Sequence, residues 1–133
     1  MIGAVLVTHG NLGKSLVEVL SIITQKPVSI NVVSLDWHDD IEKSRQQIER
    51  ALKREERGKG VIIFTDIFGG TPTNVCAAFI GREGVEIITG VNLPILLKFL
   101  MERDKKDLKE LAEDLVKKGK DSIDMASRFF ERK

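Results

Sequence analysis

The stretch GVIIFTDIFGGTPTN, residues 60–74, carries three signals in order: an apolar run, a carboxylate at its end, and a glycine pair leading into Thr-Pro. Gly60 to Thr65 (GVIIFT) reads as a strand buried on both faces. Asp66 stands at its carboxyl end. Thr71 as N-cap and Pro72 as first helical residue then open a helix to about Ile80, because proline lacks the N–H that the first turn leaves unsatisfied.

The same unit recurs on either side. Ile2 to Val7 is an apolar run that ends in Thr8-His9-Gly10, and after Asn11, a plausible N-cap, Leu12, Leu16, Val19, Leu20 and Ile23 recur at helical spacing until Lys26-Pro27. Ser29 to Leu35 (SINVVSL) is rich in β-branched residues and reads as a second strand, followed by the polar turn Asp36-Trp37-His38-Asp39-Asp40. A helix capped by Asp39, with Glu42 three residues on, runs on an inner face of Ile41, Ile48, Ala51 and Leu52 into the charged stretch Lys53 to Lys59, read as a solvated helix end. Gly81 and Gly84 flank a turn into a fourth strand, Val85 to Thr89 (VEIIT), and Gly90-Val91-Asn92-Leu93-Pro94 opens a helix over Ile95 to Met101. From Asp104 two amphipathic helices follow. Leu108, Leu111, Ala112, Leu115 and Val116 line the first, Gly119 breaks it, and Ile123, Ala126, Phe129 and Phe130 line the second.

Strands alternating with helices predict an α/β fold: a three-layer sandwich whose mainly parallel sheet is covered by helices on both faces. Strand order 2-1-3-4 is expected, because the glycine-rich turns follow strands one and three and the switch point should fall between them. Ligand sites in such sheets lie beyond the carboxyl ends of the strands at that crevice, where His9 and Asp66 both belong.

Composition narrows the possibilities. The 133 residues (14.9 kDa) suit one domain over 1–133, and 42% hydrophobic residues suffice for a core without a disulfide or metal staple. Twenty-one Lys and Arg against 20 Asp and Glu leave +1, so no basic field advertises a nucleic acid or an anionic membrane. The single cysteine, Cys76, excludes an internal disulfide and a thiolate metal cluster, and on an apolar helix face it reads as a small hydrophobe. MIGAVLVTHG has no positive n-region, and no stretch approaches ~18 apolar residues, so a cytoplasmic location is expected. His9 and His38 leave adjacent strands with no ligand spacing set by a helix or turn, so no metal and no cofactor are predicted. His38 falls on the same sheet edge as the site, as a lesser candidate for partner contact.

At the crevice, Asp66 can hold one nitrogen of His9, fix the tautomer and steady the ring when it is charged, leaving the other nitrogen as nucleophile. Gly69, Gly70, Thr71 and Thr73 offer backbone N–H groups, hydroxyls and a helix N-terminus to an anion. Histidine, orienting carboxylate and anion cradle together point to phosphohistidine. Each part alone has a bland reading as a turn, a helix start or a core cap.

Thr8-His9-Gly10, Asp66, Gly69 to Asn74 and Gly90 to Pro94, in this order and spacing, resemble the motifs of the mannose-type IIA proteins of the bacterial sugar phosphotransferase system. The resemblance spans most of the chain. It implies a phosphotransferase component in which His9 accepts a phosphoryl group from the phosphocarrier HPr and passes it to a IIB component, with sugar entering through membrane IIC and IID components. It also implies a homodimer, and a partner-facing rim for which Thr8, Phe68 and Asn92 are candidates. Ile67 and Phe68 replace a hydroxyl residue and a tryptophan of better-known relatives, and Asp121 to Lys133 reads as a helix where the family can carry a strand exchanged between subunits.

Two other readings compete. The same phosphohistidine could serve regulation without transport. Gly10-Asn11-Leu12-Gly13-Lys14-Ser15 also partly fits the nucleotide loop G-x-x-x-x-G-K-[ST]. Counted back from Gly13, the first glycine of that loop falls on Thr8, a β-branched residue where the chain should wrap phosphate closely. A phospho-receiver would need acidic residues after the first strand, and Val7-Thr8-His9-Gly10 supplies none.

Overall fold

A computed structural model describes residues 1–36 and 38–131. Trp37, in the turn after the second strand, and residues 132–133, at the end of the last expected helix, lie outside the described residues. The chain order is β1 (Gly3–His9), α1 (Leu12–Thr24), β2 (Asn31–Leu35), α2 (Ile41–Glu55), β3 (Val61–Thr65), α3 (Thr71–Cys76) with a 3-10 turn over Ala77–Phe79, β4 (Val85–Thr89), α4 (Leu93–Glu102), α5 (Leu108–Asp121) and α6 (Ala126–Glu131).

The four strands form one sheet in the order β2-β1-β3-β4, and every pairing among them is parallel. This is the expected order. Because successive side chains point to opposite faces, each strand feeds two apolar layers. Ala4, Leu6, Ile62, Phe64 and Ile88 pack under α1, α4 and α5, while Val5, Val7, Val33, Ile63 and Leu35 pack against α2 and α3. The register sets Val7 beside Thr65 and His9 beside Leu35, so β1 outruns β3 by the two residues that carry its polar end.

At the opposite rim Arg103, just past α4, is buried. Its Nε and Nη2 donate to the Ile2 carbonyl at 3.0 and 2.8 Å, and its Nη1 donates to the Ser29 carbonyl at 2.9 Å. The guanidinium carbon lies 4.6 Å from the centre of the Phe99 ring. Three segments remote in sequence are thus tied at the amino ends of β1 and β2.

Helix starts depart from the expected caps for local reasons. Asn11 precedes α1 without a side-chain cap; the buried Thr8 Oγ1 instead accepts the Gly13 N–H at 2.7 Å. Asp40, not Asp39, caps α2, accepting from Glu42 N–H, while Asp39 accepts the Asp36 N–H. Gly70, not Thr71, is the N-cap of α3: its carbonyl accepts from Asn74 N–H at 3.0 Å, which places Pro72 in the first turn but one residue further in. The charged stretch that ends α2 is not wholly solvated, since Glu55, its last helical residue, is buried. Gly119 does not break α5. It lies inside the helix against Ile95, where a Cβ would come within 2.5 Å of Cδ1, so its small size serves the contact between α4 and α5. Ile123, expected on an inner face, is exposed, as are Phe129 and Phe130 on the short α6.

Candidate functional site

The site begins where the β1–β3 ladder stops. Beyond the Val7–Thr65 pairing, the Asp66 side chain takes over from backbone: its Oδ2 accepts the His9 backbone N–H at 3.0 Å and faces the His9 ring Nδ1 at 2.9 Å. Its Oδ1 accepts the Ile67 N–H at 2.9 Å. The carboxylate is 8% exposed and the imidazole 44% exposed. Burial by itself raises the Asp66 carboxyl, but the hydrogen bonds from the His9 backbone, the His9 ring and the Ile67 backbone, with the charge of the ring, outweigh it and hold the group below the usual aspartate range.

An ionised carboxylate only accepts hydrogen bonds, so Nδ1 must carry the proton and the lone pair of the neutral ring sits on Nε2. That nitrogen faces Gly70. A Cβ built on Gly70 would stand 2.9 Å from His9 Cε1 and 3.4 Å from Nε2, so the turn after β3 approaches the ring as closely as it does only because residue 70 has no side chain. Gly69 takes a φ of +85°, which sharpens the same turn, and Gly10 takes +52° where β1 turns into α1.

His9, Gly10, Leu35, Asp36, Gly69, Gly70, Thr71 and Asn74 enclose a cavity of about 520 Å³. Of the residues expected to cradle an anion, Gly69, Gly70 and Thr71 therefore stand beside His9, and Thr73 does not. The Thr73 hydroxyl donates to the Ile67 carbonyl at 2.6 Å, and the residue lines a separate cavity with Phe68 and β4. Of the rim candidates, Phe68 is 81% exposed. Thr8 cannot reach a rim, being fully buried beneath the start of α1. Asn92 is held as the N-cap of α4, accepting the Ile95 N–H at 3.0 Å and donating to Gly119, and lies outside the His9 cavity. Asp36 and Asn74 were not among the expected wall residues. The signal for Asp36 was its place just past the end of β2, the same edge rule that selected Asp66.

A larger cavity, about 640 Å³, opens at the opposite rim, where Lys59, Glu83, Arg103 and Asp107 mix both signs of charge around no histidine. The nucleotide-loop reading loses its geometry: only Gly10 and Asn11 separate β1 from α1, Gly13 is buried under Thr8, and Lys14 projects from the helix to solvent. Burial pushes the Cys76 thiol up to about 12, which keeps it unreactive. His38 is exposed on the β2–α2 turn. Among the described residues no group of three or more His, Cys, Asp or Glu is placed to hold a metal ion, and no helix is long and apolar enough to cross a membrane.

The sequence and the fold match known proteins. A family model for the "PTS system fructose IIA component" (EIIA-man) matches residues 3–116. The chain is 31% identical over 133 residues to the "PTS system fructose-specific EIIA component" of Bacillus subtilis (strain 168), covering 99% of this chain and 91% of that protein. It is 26% identical over 124 residues to the "PTS system mannose-specific EIIAB component" of Escherichia coli (strain K12), covering 92% of this chain and only 38% of that longer protein. In fold it resembles the phosphotransferase system component EIIA of Streptococcus agalactiae, with a TM-score of 0.85 at 21% identity over 96% of this chain and 99% of that one. The mannose/sorbose-specific IIA subunit of Enterococcus faecalis superposes with a TM-score of 0.82 at 20% identity over 93% of each chain. With its parallel sheet in the order 2-1-3-4 and matches over nearly its full length, the chain belongs to the EIIA-man family, the IIA components of sugar phosphotransferase systems.

Proposed function

We propose that the whole chain acts as one cytoplasmic IIA domain that accepts a phosphoryl group on His9 Nε2 from phospho-HPr and passes it to a IIB component, which serves sugar uptake through membrane IIC and IID components. The observation that carries this reading is the His9–Asp66 pair: Nδ1 is held at 2.9 Å by a carboxylate while Nε2 is left open beside a glycine. In the forward step the Nε2 lone pair attacks phosphorus, the bond to the donor atom of HPr breaks, and that atom keeps the bonding electron pair. The ring becomes cationic with its proton still on Nδ1, and Asp66 offsets that charge. Backbone N–H groups of Gly69, Gly70 and Thr71, with the Thr71 hydroxyl, are assigned to the phosphoryl oxygens. Transfer to IIB is the same displacement in reverse. No cofactor or metal is required by these residues.

Incubation with phosphoenolpyruvate, enzyme I and HPr, followed by mass analysis, should show one phosphoryl group that survives alkali and is lost in acid. His9→Ala should abolish it and His38→Ala should not. Asp66→Asn removes a charge-assisted hydrogen bond worth ~1.5–3 kcal/mol and should slow transfer roughly ten- to a hundredfold. An alkali-labile label that persists in His9→Ala and vanishes in Asp66→Asn would place the chemistry on the aspartate and overturn the reading.

A further inference from the structure

Between Asp66 and α3 the chain makes a tight turn whose two ends are joined by one side chain. Thr73, in the first turn of α3, reaches back six residues and donates its hydroxyl to the Ile67 carbonyl at 2.6 Å. Ile67 in turn donates its N–H to Asp66 Oδ1, and Asp66 Oδ2 holds both the backbone and the ring of His9. The bond from Asn74 N–H to the Gly70 carbonyl at 3.0 Å belongs to the helix and does not reach residue 67. Ile67 and the imidazole both crowd Gly70: a Cβ built there would stand 3.2 Å from Ile67 Cγ1 and 2.9 Å from His9 Cε1. The Ile67 peptide is thus bonded on one side to Asp66, which holds the imidazole, and on the other to Thr73, in the helix that Gly70 caps.

We propose that Thr73 is a positioning residue for His9: its hydroxyl fastens the Ile67 peptide, which fixes the Asp66 carboxylate and the approach of Gly70, and so holds the imidazole as the Nδ1–H tautomer with Nε2 open. This inference rests on the phosphoryl-acceptor reading of His9. It differs from a role in binding phosphate, for which residue type alone equips Thr73, because the hydroxyl hydrogen is already committed to a carbonyl and the residue lies outside the His9 cavity wall. Its action is present before any phosphoryl group arrives.

The test compares wild type with Thr73→Val, which keeps the branched shape and loses the hydroxyl, and Thr73→Ser, which keeps the hydroxyl. Two readouts are taken: the single-turnover rate of labelling from phospho-HPr, and the nitrogen chemical shifts of the unphosphorylated His9 ring, which report the tautomer. Thr73→Val should slow labelling roughly threefold to tenfold, the span of one neutral hydrogen bond, and should show a measurable Nε2–H fraction absent from wild type. Thr73→Ser should restore both. Slower labelling in Thr73→Val with an unchanged free-state tautomer would mean that the hydroxyl serves the phosphoryl group directly, and would overturn the proposal. A lower melting temperature with rate and tautomer unchanged would overturn it too, leaving a structural role only. If wild type itself takes no label while the tautomer shifts as stated, the phosphoryl-acceptor reading fails and the positioning of His9 stands.

Discussion

Asp66 performs two tasks with one oxygen, ending the β1–β3 ladder and orienting the ring, and this makes its ionisation matter to the fold as well as to the chemistry. Its carboxyl titrates below the ordinary aspartate value of about 3.9. The unfolded chain therefore binds more protons than the folded one between the two values, and stability rises with pH across that window. The contribution is complete above the ordinary value and lost as pH falls through the lower, folded one. In urea unfolding, wild type should exceed Asp66→Asn in stability at pH 7 and at pH 5, and the gap should close below pH ~4. A gap that widens in acid would contradict the sign. The His9–Asp66 pair was legible in the sequence because it needs only two facts, both residues at strand ends and strands one and three adjacent. Thr73 was not, since the direction of a hydroxyl depends on the path of the turn, and Thr8 was misread because a residue one position before an exposed histidine points to the other face of the strand.

Elements were legible where periodicity and punctuation agreed. β4 starts and stops at the expected residues, whereas helix starts slip by one at Asp40 and Gly70, where two neighbouring residues could each cap and backbone geometry chose between them. Charged residues were the least legible, because a run of Lys, Arg and Glu carries no mark of which one turns inward. Arg103 did, and its three hydrogen bonds tie the end of α4 to the approaches to β1 and β2. Burial lowers its pKa somewhat, which the neighbouring Asp104 and Glu55 oppose, so it remains a cationic donor. Arg103→Met keeps the length but removes every donor from the Ile2 and Ser29 carbonyls. It should cost about 2–4 kcal/mol and lower the melting temperature by roughly 10 °C, measured by thermal unfolding. A change of only a degree or two would show that water replaces the guanidinium.

At the scale of the whole molecule, we propose a homodimer, supported by the apolar side chains that the carboxyl-terminal segment leaves exposed. Ile123, Met125, Phe129 and Phe130 are all exposed in the single chain, with Phe129 and Phe130 61% and 66% accessible and stacked edge to face at 6.0 Å. Sedimentation at micromolar concentration should give twice the chain mass, and Phe129→Ser with Phe130→Ser should shift it toward the single chain. A wild-type monomer throughout that range would reject the dimer while leaving the His9 chemistry intact. The oligomeric state was beyond periodicity, which reports the faces of elements and not which exposed face meets a second copy.

Every strand of the sheet points the same way, so the amino ends gather at the Arg103 clamp and the carboxyl ends at His9. One rim is a hinge-free anchor and the other a workbench. Damage to the anchor removes molecules from the folded pool; at the other rim loss of the exposed His9 ring leaves that pool full, and only Asp66, which also ends the β1–β3 ladder, touches stability there. A chain laid out in this way can vary its turns after β1 and β3 while the clamp that ties its amino ends stays some five residues away along each strand, at the other end of the sheet.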